Sequence, residues 1–102
     1  MFKLEIFLPV YDLKGIQFEY QAYDDVQNTL IHRYGGVTAF MRTPASGFWK
    51  NTLGQIEKDD VAIFEVMTEE IDRVWWQGFR KQLEHQFAQQ EILIQATQIE
   101  RL

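Results

Sequence analysis

The period of the apolar residues changes along this chain, and the order of those changes limits the fold more than any other feature. Phe2, Leu4, Ile6 and Leu8 alternate with Lys3, Glu5 and Phe7, the two-residue repeat of a strand with one buried face. Pro9 ends that run, and Asp12-Leu13-Lys14-Gly15 reads as a turn. From about Phe18 to Tyr34 the spacing becomes helical through Tyr23, Val26, Leu30 and Tyr34. Gly35-Gly36 stops this helix, because glycine accepts the left-handed conformation that closes one. A second strand is expected over Val37 to Arg42 and a third over Asp60 to Met67. Thr68 is the expected N-cap of a second helix, with Glu69, Glu70 and Asp72 in its first turn. Its buried stripe is read as Ile71, Trp75, Phe79, Leu83 and Phe87, leaving Trp76 to point sideways and Arg80, Lys81 and Glu84 in water. Ile92 to Ile99 supplies the last strand.

Strand, helix, strand, strand, helix, strand with right-handed crossovers gives an α+β, ferredoxin-like β-α-β-β-α-β sandwich. The expected sheet is four-stranded and antiparallel, with both helices on one face. At 102 residues the chain is one domain, 1–102, long enough to bury about two-thirds of its unfolded surface. The segment Thr43–Lys58 is too long for a plain connection and reads as a loop carrying a small hairpin that turns near Asn51–Gly54.

Cysteine is absent, which removes disulfides, thiol nucleophiles and thiolate metal sites and fits a reducing compartment. The first strand carries charge, so it does not read as a signal peptide, and no apolar run approaches the roughly 18 residues of a membrane helix. A cytoplasmic protein without membrane contact is expected. Net charge is −5, concentrated between Glu57 and Asp72, where seven acidic residues face Lys58 alone. Nucleic acid needs a basic stripe, and none exists. The RNA-recognition domain shares this topology but needs a basic, glycine- and aromatic-rich third strand, where this chain has Asp59-Asp60-Val61-Ala62-Ile63-Phe64-Glu65.

Gly35-Gly36-Val37-Thr38, Gly47-Phe48-Trp49 and Leu83-Glu84-x-x-Phe87-x-Gln89 resemble the GG-[VL]-T turn, G-x-W loop and F-x-Q helix end of a family of small, uncharacterised bacterial proteins. The resemblance implies a ferredoxin-like fold and no particular activity. More loosely, the long loop between strands two and three looks like that of PII-type signalling proteins. The glycine-rich nucleotide-binding signature of that family is missing, so ATP binding does not carry over.

Side chains that could support chemistry are few. His32 and His85 lie near helix ends, where a cation complements the dipole, and neither has a second histidine at metal spacing, so no metal or cofactor is expected. Asp24-Asp25 sit about 100° apart on a helix and cannot converge. Asp59-Asp60 lie where the loop meets strand three, a better place for function. Ser46, the single serine, lacks a nucleophile context.

The sheet face turned away from the helices is the best lead. It is expected to hold Glu5, Phe7, Thr38, Phe40, Arg42, Val61, Ile63, Glu65, Met67, Leu93, Gln95, Thr97 and Ile99, too apolar for water and too polar for a plain core. Such a mixture suits an oligomer interface enclosing a polar pocket. The candidate ligand-binding residues are Glu5, Arg42 and Glu65 on that face, and Trp49 and Asp60 on the loop beside it. Equally, the charged three could pair with one another across strands. The expected function is a ligand-binding or regulatory module acting as a homo-oligomer, a dimer before a trimer, with a small molecule as its other partner. The alternative is a cofactor-free enzyme of the dimeric α+β barrel type, using Arg42, Glu65 or His32; a plain protein-interaction module is the third possibility.

Overall fold

The computed structural model describes residues 1–40, 46–50 and 56–102, with 46–50 and 56–60 described as paired backbone. Strand β1 (Phe2–Pro9) is followed by helix α1 (Tyr20–Tyr34), β2 (Thr38–Phe40), β3 (Ser46–Lys50), β4 (Ile56–Thr68), α2 (Arg73–Gln86) and β5 (Ile94–Gln98). Every strand pairing is antiparallel, in the order β2-β4-β1-β5, with β3 also paired to β4. The result is the α+β, ferredoxin-like sandwich, its second strand carried as two short pieces. Thr38 pairs with Glu65 and Ser46 with Asp60, so the register against β4 advances by three residues between the two pieces.

The alternation in β1 buries Leu4, Ile6 and Leu8, and that in β4 buries Ala62, Phe64 and Val66 on the same side. Both helices cover this side. Tyr23, Val26 and Leu30 from α1 and Trp76, Phe79 and Leu83 from α2 close a single core with Phe87 and Ile92. Helix α1 ends where the glycine pair required: Gly35 adopts φ 78° and donates its N–H to the Ile31 carbonyl at 2.7 Å.

The second helix departs from expectation in two ways. Its N-cap is Asp72, whose carboxylate accepts from the Trp75 N–H, whereas the Thr68 hydroxyl donates to the Glu70 carbonyl. The run Thr68–Ile71 carries the chain from sheet to helix before the first helical turn. In addition, Trp76 (5% exposed) lies in the core and Trp75 is half-buried beside it. A repeat of four drifts by about 40° per step on a helix of 3.6 residues per turn, so spacings of three and four, as in Trp76, Phe79 and Leu83, hold the centre of the stripe. Glu84 is likewise not in open water: its carboxylate accepts the Ile92 N–H at 3.0 Å and fixes the approach to β5.

Strand limits also differ. The third expected strand begins at Ile56 rather than Asp60, because Ile56–Asp60 pairs with β3 as the hairpin read between Thr43 and Lys58. Its turn near Asn51–Gly54 lies outside the described residues. The second strand starts at Thr38 rather than Val37, with the expected Met41 and Arg42 outside the described residues, and the last begins at Ile94, leaving Ile92 buried but unpaired in the sheet. Ala39 and Ala96 pair with the buried Phe64 and Leu4 yet are exposed, since they lie in the lanes at the two sides of the sheet. Among the described residues no helix is long and apolar enough to cross a membrane.

Candidate functional site

Strand register builds the open face in rows. Thr38 pairs with Glu65, Glu65 with Glu5 and Glu5 with Gln95, so one polar row crosses the whole sheet. On one side of it Phe40, Ile63 and Phe7 form an apolar row that Leu93 extends through the Phe7 N–H to Leu93 carbonyl bond. On the other side lie Met67, Lys3 and Thr97. Phe40, Met67 and Leu93 are each 43–54% exposed, so the face presents large apolar side chains to solvent.

The row places two carboxylates in direct opposition. Glu5 and Glu65 are cross-strand partners, an unfavourable pairing for like charges. Lys3 offsets part of it, its ammonium standing 3.5 Å from the Glu65 carboxylate on the diagonal. Glu5 makes no ion pair among the described residues. Of the charged three considered from sequence, the two carboxylates face each other and Glu65 takes Lys3 as a partner, while Arg42 lies outside the described residues. That lysine was missed as a site residue, although its place two positions before Glu5 put it on the same face. Thr38 and Gln95, which complete the row, were placed on the face but not singled out.

The row opens at one end into a cleft of about 390 Å³, lined by Gly35, Gly36, Val37, Thr38, Glu65 and Met67 among others. The turn that ends α1 and the strand that carries Glu65 thus share one concavity.

The remaining candidates are dispersed. Arg42 lies outside the described residues. Trp49 on β3 and Asp60 on β4 are in the hairpin, paired with Glu57 and Ser46, beyond the stretch of β4 that pairs with β1. They are thus off the row that holds Glu5 and Glu65. His32 is exposed on α1, in a groove with Asn28, Thr29, Arg33 and Trp75 in the helix layer. The sheet separates it from Glu65, so the two do not form one catalytic set. Asp24 and Asp25 are exposed on α1, where Asp25 accepts from the Gln21 side chain. No group of three or more His, Cys, Asp or Glu among the described residues could hold a metal ion.

No family model matches the chain, and no curated protein matches it either. Solved structures do. A phage SAM lyase in complex with S-methyl-5'-thioadenosine aligns at TM-score 0.61 with 14% identity, over 95% of this chain and 80% of that one. The same enzyme in its apo state aligns at 0.59 with 15% identity, over 94% and 78%. A point variant of CutA1 from Pyrococcus horikoshii OT3 aligns at 0.61 with 13% identity, over 100% of this chain and 86% of that one. At such identities the likeness is one of architecture, and it establishes that the chain has the ferredoxin-like α+β fold.

Proposed function

We propose that the protein is a small cytoplasmic ligand-binding or regulatory module that acts as a homo-oligomer, joined through the open sheet face and enclosing the row Thr38, Glu65, Glu5 and Gln95. The observation that carries this reading is the row itself, four polar side chains flanked on one side by the apolar row Phe40, Ile63 and Phe7, on the sheet face turned away from both helices. Burying about 400 Å² of apolar surface per subunit would contribute roughly 10 kcal/mol before association costs. Closed two-fold assemblies are the commonest solution, so a dimer is expected.

Inside such an interface two carboxylates, a hydroxyl and an amide accept hydrogen bonds, so the ligand is rich in donors: hydroxyls, amines or both. That a protein of this fold, the phage SAM lyase, binds S-methyl-5'-thioadenosine supports a small-molecule site on this architecture. A cofactor-free enzyme of the dimeric α+β barrel type is the second reading, favoured by the facing carboxylates, since paired acidic groups are what proton transfer uses.

Sedimentation velocity at micromolar concentration tests the assembly. The wild type should run as an oligomer, and Ile63→Lys, which puts a charge into the apolar row, should release monomers. A monodisperse wild-type monomer overturns the interface. With S-methyl-5'-thioadenosine and simple polyols or diamines as probes, binding lost in Glu5→Gln and Glu65→Gln supports the site; unchanged binding removes it.

A further inference from the structure

On the opposite edge of the molecule from β2, strand β5 has a neighbour on one side only. Its ladder phase is fixed by the bonds flanking it. The Phe7 N–H donates to the Leu93 carbonyl and the Ile99 N–H to the Met1 carbonyl. In an antiparallel ladder such closely bonded pairs recur every second residue, so Gln95 and Thr97 turn their backbone groups toward β1. The N–H and C=O of Ile94, Ala96 and Gln98 therefore point outward, and no other hydrogen bond of the described residues reaches them.

Proteins normally guard such an edge with charged side chains, proline or a bulge. Ile94–Gln98 reads Ile-Gln-Ala-Thr-Gln, with none of these, and four of its five residues are exposed. Beside it, between the edge and α2, lies a cleft of about 220 Å³ whose floor is Leu4, Ile71, Trp76, Ile94 and Ala96. Arg73, Gln77 and Arg80 form its rim. The two arginines are seven residues apart, about 10 Å along one face of the helix. Arg73 makes no ion pair among the described residues. Arg80 reaches Glu84 only at 3.8 Å, and that carboxylate already accepts the Ile92 N–H.

We infer that the edge of β5 and its cleft bind an extended acidic peptide by strand addition. The free backbone groups supply the ladder, alternate side chains enter the apolar cleft, and carboxylates meet Arg73 and Arg80. Charge complementarity selects this occupant over a second copy of the chain. Pairing β5 with a symmetry-related β5 would bring both arginine rims to one seam, like charge against like charge.

The probe is a fluorescein-labelled peptide of sequence Thr-Glu-Thr-Val-Thr-Glu-Thr, capped at its C-terminus. Its Glu, Val and Glu share one face, and the two carboxylates stand about 13 Å apart, within reach of both arginines. Anisotropy should show binding that weakens with salt, and amide NMR should show slowed exchange at Ile94, Ala96 and Gln98. Replacing both Glu by Lys, or Val by Pro, should weaken binding about tenfold or more, by charge and by loss of a ladder donor respectively. The double variant Arg73→Glu, Arg80→Glu should reverse the preference between acidic and basic peptides, with its fold checked by circular dichroism. Equal affinity for acidic and basic peptides, or no change at the β5 amides, overturns the proposal. So does concentration-dependent protection of those amides without peptide, which assigns the edge to a second copy.

Discussion

The Arg33 guanidinium sits 4.3 Å from the centroid of the Trp75 ring while its Nη2 donates to Asp72 at 2.9 Å. Asp72 in turn caps α2 by accepting the Trp75 N–H at 3.1 Å. One turn further on, the Trp76 indole N–H donates to the Tyr34 hydroxyl at 2.7 Å. The end of α1 is thus tied to the beginning of α2 by two adjacent residue pairs, one charged and partly exposed, the other aromatic and largely buried.

Removing the cap residue acts on both helices. Asp72→Ala should lower stability by about 1–2 kcal/mol, most of it from the lost cap, since an exposed ion pair contributes little. Asp72→Asn keeps an acceptor for the Trp75 N–H and should lose less. Urea unfolding of the three proteins reads the difference, and equal stability of wild type and Asp72→Ala would refute the capping role.

The two adjacent tryptophans should separate cleanly. Phe79→Ala should cost about 3–5 kcal/mol as a core truncation. Trp76→Phe, which leaves the Tyr34 hydroxyl without its donor inside the core, should cost more than Trp75→Phe. The reverse order in denaturant midpoints would contradict the observed helix phase.

How much of this was readable beforehand depends on the range of the determinant. The glycine stop at Gly35, the alternation in β1 and, among the described residues, the strand members of the open face are local periodicities, and the structure reproduces them. The choice between Trp75 and Trp76 is a matter of about 100° of helix rotation, decided by how Tyr34 and the sheet receive the ring. Likewise, Glu5 and Glu65 could be placed on one face from sequence, but their direct opposition is a register, set by pairing between distant strands. Lys3 was overlooked for the same reason, because its diagonal reach to Glu65 exists only in that register.

Alkaline stability should depend on Tyr23. Its hydroxyl donates to the Pro9 carbonyl at 2.6 Å, and burial raises its pKa from 10.0 to about 12. The folded state thus holds this proton more tightly than the unfolded chain. Its contribution is complete below pH 10 and is lost as pH rises from there through about 12. Denaturant midpoints should fall between pH 9 and 11.5 more steeply in the wild type than in Tyr23→Phe; parallel curves would show that Tyr23 does not drive the loss.

The facing carboxylates predict a substitution that strengthens the fold. Glu5→Gln removes a like-charge cross-strand pair and should stabilise the protein by about 0.2–1 kcal/mol near neutral pH, with the gain shrinking as salt is added. Sites kept at the expense of stability are characteristic of function. A loss of stability in Glu5→Gln would mean that Glu5 serves the fold itself.

The central place of β1 in the sheet bears on the protein's synthesis. This first strand lies between β4 and β5, and its earliest partner in sequence, Val61 opposite Pro9, is made long after it. At about 5–20 residues per second, Leu4, Ile6 and Leu8 leave the ribosome several seconds before any partner strand exists to cover them. Helix α1 can form alone in that interval, but the sheet cannot begin. Nascent chains stopped before β4 should therefore remain open to chaperones and proteases, and compaction should come late and nearly at once when β4 and α2 emerge.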